Sequence, residues 1–96
     1  MELEKELEKL GLKEKEAKIY LLLARSSALT ATEISRKTSI NRRSVYDALD
    51  ALSSKGLCNY SINEKKKFFK ANNLAAMSAG LEEKKQILNE IITEIE

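Results

Sequence analysis

TATEISRKTSINRRSVYDALDALSSKGL, residues 30–57, decides the fold. Thr30 and Glu33 stand three apart, the spacing of a capping box: the Thr30 hydroxyl accepts the free Glu33 N–H, and the Glu33 carboxylate reaches back to the Thr30 N–H. A short helix follows, with Ile34 as its apolar residue and an end expected near Thr38. Ser39, Ile40 and Asn41 turn the chain, with Ile40 inward and Asn41 placed to cap the next helix. That helix is expected to end at Lys55, where Gly56 suits the left-handed residue after a helix C-terminus. Two capped helices around a turn of about three residues make a helix-turn-helix pattern. On a helical wheel, Val45, Ala48, Leu49 and Leu52 gather on the core side, and Arg43, Asp47, Asp50 and Ser54 fall opposite. The exposed first half of the second helix therefore presents Arg42, Arg43, Ser44, Tyr46 and Asp47. These side-chain types contact phosphates and base edges.

Downstream, residues 57–62 alternate Leu, Asn, Ser against Cys, Tyr, Ile and read as a strand. Residues 63–66 supply a polar tip and residues 67–71 return, so a β-hairpin carries Lys65, Lys66 and Lys67 at its tip and along its outgoing strand. A basic hairpin directly after the second helix is the layout of a winged helix. Asn72 and Asn73 then cap a last helix from Leu74 to about Glu94. Its stripe of Leu74, Met77, Leu81, Leu88, Ile91 and Ile95 steps by three and four with Lys84 as an interruption, broadened by Ile87 and Ile92. That is the pattern of a pairing seam, so Leu81, Leu88, Ile91, Ile92 and Ile95 are the expected dimerisation residues. A competing expectation folds this helix back onto Leu3, Leu7 and Leu10 of its own chain.

Upstream, residues 1–10 read as a Glu/Lys helix whose stripe is those three leucines, ended by Gly11, with Leu12 tucked inward. Residues 13–26 form a core helix with Ala17, Tyr20, Leu21 and Ala24 on one face and Ile19, Leu22 and Leu23 widening it. Tyr20 is expected in the core with its hydroxyl at the surface, and Ala28–Leu29 adds a short strand. The fold class is mainly α with a β-hairpin wing. One winged-helix domain spans residues 1–96: an N-terminal helix (1–12), a winged-helix core (13–71) and a coiled-coil-like C-terminal helix (72–96).

Charge supports this division. Over 96 residues the net charge is only +2, but residues 36–70 carry nine Lys or Arg against three acids, whereas residues 1–16 sum to −2 and residues 71–96 to −3. A basic middle between acidic ends directs one surface at a polyanion. No apolar run reaches the ~20 residues of a membrane span, and the Glu/Leu/Lys N-terminus lacks the apolar core of a signal peptide. A cytoplasmic protein is expected. With no His, one Cys and three Gly, the chain lacks the residues for a zinc cluster, a nucleophile–base pair or a phosphate-binding loop. No enzyme, metal or cofactor is expected. Cys58 reads as a half-buried strand residue rather than a redox switch.

With these elements placed, the chain resembles the N-terminal DNA-binding domain of TrmB-type archaeal transcription regulators. The resemblance rests on LGLKEKEAKIYLLL (residues 10–23), on residues 30–57 and on the KKFFKA strand (residues 66–71), and covers roughly residues 7–75. It implies a winged helix-turn-helix fold, sequence-specific binding of double-stranded DNA, and a dimer. TrmB-type proteins commonly carry a large C-terminal sugar-sensing domain; this chain stops after one helix, so no small-molecule effector is expected. Their turn before the recognition helix often holds Pro where this chain has Asn41.

The expected DNA contacts are Asn41, Arg42, Arg43, Ser44, Tyr46 and Asp47 on the recognition helix, with Thr30, Thr32, Arg36 and Lys65, Lys66 and Lys67 from the preceding helix and wing. Arg42 and Arg43 sit where free N–H groups favour phosphate. Arg43 is the candidate for bidentate contact with guanine, and Asp47 can accept from a cytosine amine. Each has a plainer reading: an Arg43–Asp47 ion pair, Tyr46 half-buried under the wing, Thr30 and Asn41 as caps first, and wing lysines charged merely because turns are exposed. A rival function is a winged-helix module that binds a partner regulator or the transcription machinery with little DNA contact.

Overall fold

The computed structural model describes residues 2–96; Met1, included above in the first helix, lies outside them. The described residues form five helices and a two-stranded hairpin in the order α1 (Leu3–Lys9), α2 (Glu14–Ala24), α3 (Ala31–Thr38), α4 (Arg42–Ser54), β1 (Cys58–Asn63), β2 (Lys66–Ala71) and α5 (Ala76–Ile95).

The helix-turn-helix forms as its spacing dictates. Glu33 N–H donates to Thr30 Oγ1 at 3.2 Å, and Thr30 N–H donates to Glu33 Oε1 at 3.0 Å. In the turn, Ser39 adopts a left-handed φ of 61°. The neighbouring polar groups are satisfied: Thr38 Oγ1 donates to the Ile34 carbonyl and accepts from Ile40 N–H. Asn41 Oδ1 accepts Ser44 N–H at 2.9 Å and starts α4. At its far end Gly56 (φ 74°) allows Leu57 N–H to reach the Leu52 carbonyl and Gly56 N–H the Ser53 carbonyl. This is the Schellman arrangement, and its hydrophobic pair Leu52 and Leu57 is fully buried.

Gly11 (φ 103°) ends α1 the same way, with Leu12 N–H on the Leu7 carbonyl. Leu7 and Leu12 are buried, but Leu3 and Leu10 stand exposed, so the expected three-leucine stripe reduces to one residue plus the one beyond the glycine. In α2 the buried side comprises Glu16, Ala17, Ile19, Tyr20 and Leu23. Ala24, expected on the core face, is exposed. The Tyr20 ring is buried as expected; its hydroxyl donates to the Asn72 carbonyl at 2.8 Å, and burial raises its pKa. Burying the ring requires a partner for the O–H, and the junction after β2 supplies it.

Glu16 is a buried acid that sequence spacing did not reveal. Its Oε1 accepts Lys13 N–H at 3.3 Å and Lys55 Nζ at 3.0 Å, joining the start of α2 to the end of α4. The centre of the core is Ile19, Ile34, Val45, Leu49, Leu52 and Leu57, drawn from α2, α3, α4 and the start of the wing. Each such side chain contributes about 1.5–3 kcal/mol through burial.

The wing is tighter than expected. Its register runs from Cys58 opposite Ala71 to Asn63 opposite Lys66, so Asn63 and Lys66 belong to the strands and the tip is Glu64–Lys65 alone. Both tip residues have positive φ, 49° and 67°, as a two-residue hairpin turn matched to strand twist requires. Leu29 bonds both ways with Phe69, through Leu29 N–H at 3.0 Å and Phe69 N–H at 2.7 Å, and anchors β2 to the helices. The hairpin overhangs the core: Cys58 and Phe69 are buried, whereas Tyr60 and Ile62 are exposed.

Asn72 gathers the junction, its side chain donating to the Gly56 carbonyl and bonded to Asn59, and its N–H donating to the Leu57 carbonyl. Asn73 Oδ1 accepts Ala75 N–H. These bonds delay the last helix, which starts at Ala76 rather than Leu74. Met77 packs on the core, and beyond it no residue of α5 is buried. The fold-back onto the first helix is not adopted, since Leu3 and Leu10 also stand in solvent.

Candidate nucleic-acid interface

A groove runs between the start of α3, the first half of α4 and strand β2. Thr30, Thr32, Glu33 and Arg36 form one wall, Arg42 and Tyr46 the floor, and Lys65, Lys66 and Lys67 the other wall, with Phe68 and Phe69 behind. Eight of the twelve expected DNA contacts therefore meet in one place. Five of the groove residues are cations; Glu33 is its acid. The Glu33 carboxylate is committed to Thr30, and the bonds from the Thr30 backbone and side chain hold its pKa below the usual carboxylate range. It caps α3 rather than opposing a phosphate.

Lys67 is positioned by aromatic packing. Its Nζ lies 4.5 Å from the centroid of the Tyr60 ring, within cation–π range. Tyr60 in turn tilts against Phe69 at 5.7 Å between centroids, and Phe69 is the buried residue bonded to Leu29. Tyr60 lies outside the expected contacts; the sequence signal that points to it is its cross-strand pairing with Phe69 in the hairpin pattern.

The remaining expected residues lie elsewhere on α4. Ser44 and Asp47 border a second, shallower cleft with Lys13, Lys15 and the start of α2, where Lys15 Nζ donates to Ser44 Oγ at 3.4 Å. Twenty-nine residues separate that pair, so no local motif could have shown it. Asn41 is exposed, with its side-chain oxygen used as the cap. Arg43 is exposed on the crest between the two clefts. Among the described residues the ion pairs are Lys5–Glu2, Lys9–Glu6 and Lys55–Glu16, so the plainer reading of an Arg43–Asp47 pair is not adopted. Tyr46 is 44% exposed and lines the groove beside the wing.

Other chemistry is poorly provided for. The Cys58 thiol is buried against the Leu49 carbonyl, and burial, with Asp50 nearby, pushes its pKa up. Among the described residues no group of three or more His, Cys, Asp or Glu could hold a metal ion, and no helix is long and apolar enough to cross a membrane.

A helix-turn-helix whose second helix stands beside a basic hairpin, followed by a long C-terminal helix, defines a winged-helix transcription regulator. The profile of one such family, "Sugar-specific transcriptional regulator TrmB", matches residues 7–75, and the chain belongs to that family. Solved structures share the fold. A cysteine-to-serine mutant of Lactococcus lactis ZitR superposes with a TM-score of 0.63 at 19% identity, over 88% of this chain and 60% of that one. A phenylalanine-to-leucine mutant of S. aureus MepR, bound to an oligodeoxyribonucleotide, gives 0.66 at 17% identity, over 92% and 71%. AdcR from Streptococcus pyogenes gives 0.62 at 19% identity, over 99% and 82%. The chain thus spans about three-fifths of the ZitR chain. No curated protein matches it in sequence.

Proposed function

We propose that this protein binds double-stranded DNA as a dimeric regulator, with the first half of α4 in the major groove and the Lys65–Lys67 edge of the wing on the flanking backbone or minor groove. The observation that carries this reading is the groove itself: Arg36, Arg42 and three wing lysines converge on its walls and floor, and the nearby Glu33 is occupied by a cap. Phosphate contacts from these cations supply affinity and register. Arg43, on the crest and without an ion-pair partner among the described residues, is the base-reading residue. Ser44, with Lys15 beside it, faces the second phosphate strand, and Asp47 accepts from a cytosine amine. Residues 1–12 and 13–71 act as one reading head, and residues 72–96 pair two heads through Leu81, Leu88, Ile91, Ile92 and Ile95.

Selection of bound duplexes from a random pool tests this. The expected product is a two-fold symmetric site with half-sites about one helical turn, ~34–36 Å, apart. Absence of any enriched sequence, together with no salt-dependent binding to random duplex, supports instead the module that binds a protein partner. The open apolar side of α5 is the observation that favours this second reading.

A further inference from the structure

Along α5 the side chains of Leu81, Ile87, Leu88, Ile91, Ile92 and Ile95 are 43–79% exposed. An isolated helix of this length is marginal in water, and so large an apolar side does not stay open. We infer that α5 pairs with α5 of a second copy in the antiparallel direction, about a two-fold axis passing between Asn89 and Glu90. The inference rests on the dimer proposed above and fixes its direction.

The charges along the helix decide between the two directions. Lys84 sits where the seam is due an apolar residue, and Lys85 flanks it. Glu94 flanks the seam in the last turn, while Glu82, Glu83, Glu90 and Glu96 turn away from it. In a parallel pair every seam position faces its own copy, so Lys84 meets Lys84 and the acidic ends lie side by side. Like charges in those places are unfavourable, and a lone lysine in a seam specifies register. In the antiparallel pair Leu88 of one copy comes opposite Ile91 of the other, and Ile87 comes level with Ile92. Lys84 then crosses to Ile95, with its ammonium beside the Glu94–Glu96 end of the other helix. The same two-fold axis covers Ile87, Leu88, Ile91, Ile92 and Ile95 and brings Lys84 to the acidic end, while Leu81 lies outside the overlap of residues 83–96.

The direction also sets the distance between the two reading heads. At ~1.5 Å per residue, the starts of the two α5 helices come to lie about 40 Å apart. In a parallel pair they would be held at the ~8–10 Å of packed helices. The larger separation is comparable with one turn of DNA.

Disulfide trapping in the full chain tests the direction. Native Cys58 is shielded by burial, so it is kept. Ile95→Cys and Lys84→Cys are prepared separately, checked by circular dichroism for parental helix content, and oxidised alone and mixed, while sedimentation of the parent reports the oligomeric state. The expected result is a covalent dimer in the mixture and none from Ile95→Cys alone. A covalent dimer from Ile95→Cys alone shows the parallel pair and overturns the inference. A parent that sediments as a dimer without either crosslink places the interface elsewhere, and also overturns it. A parent that remains monomeric on concentration removes the proposed dimer itself.

Discussion

Arg42 and Arg43 are neighbours in sequence and separate in space, because one residue of α4 turns the side chain by about 100°. Arg42 enters the groove with the wing lysines; Arg43 stays on the crest. Their expected signatures differ accordingly. Arg43→Ala should cost about 1–3 kcal/mol of discrimination at one base position, measured by competition between the selected site and its single-base variants. An equal loss on all sequences would instead give Arg43 a phosphate role. Replacing Lys65, Lys66 and Lys67 by alanine should weaken all sequences alike and flatten the log–log salt slope by up to about 0.9 per lost phosphate contact. Glu33 gives a pH test. Its folded-state pKa is lowered by Thr30, so its contribution is present above the ordinary carboxylate range and is lost as pH falls through the lower folded value. Glu33→Gln, which keeps a capping group, should lose stability less steeply in acid than the parent when urea midpoints are compared. At this scale the Thr30–Glu33 box was legible because it is local. The Glu16–Lys55 pair was not, because its partners are 39 residues apart and only the packing of α2 on α4 brings them together.

Among the elements, α3 and α4 were the most legible, since Thr30, Asn41 and Gly56 each satisfy backbone groups that a helix end leaves free. The wing was legible as a hairpin but not in its tip, because neither Glu64 nor Lys65 announces a left-handed pair as Asn-Gly would. In α1 the spacing of Leu3, Leu7 and Leu10 marked one face of a helix, yet the packing covers only Leu7; periodicity reports what can be buried, and the neighbouring element decides what is. Helix α5 runs unbroken across Gly80, where an added Cβ meets nothing within 4 Å. Gly80→Ala should therefore favour the helix by about 1 kcal/mol, seen as a higher helical signal and a tighter dimer by circular dichroism and sedimentation. A weaker dimer would mean that Gly80 is needed for close approach of a partner.

The whole molecule extends 53 × 32 × 22 Å, with the length supplied by α5 projecting from the core. Its winged-helix architecture and the local basic face were readable from capping, alternation and the charge of residues 36–70. The division of α4 into a wing-side groove, a crest and an α2-side cleft was not, because it depends on how three elements pack around one helix. Leu88→Ser/Ile91→Ser should yield a monomer with an intact head, which loses affinity for the symmetric site while keeping that for a single half-site. DNA binding by α4 and the wing is open to a direct test, fluorescence anisotropy of the parent and an Arg42→Ala/Arg43→Ala variant across a range of salt concentrations. The parent is expected to bind in a salt-dependent manner, and the variant with both a weaker affinity and a shallower slope. Equal affinity of the two proteins at every salt concentration would contradict it.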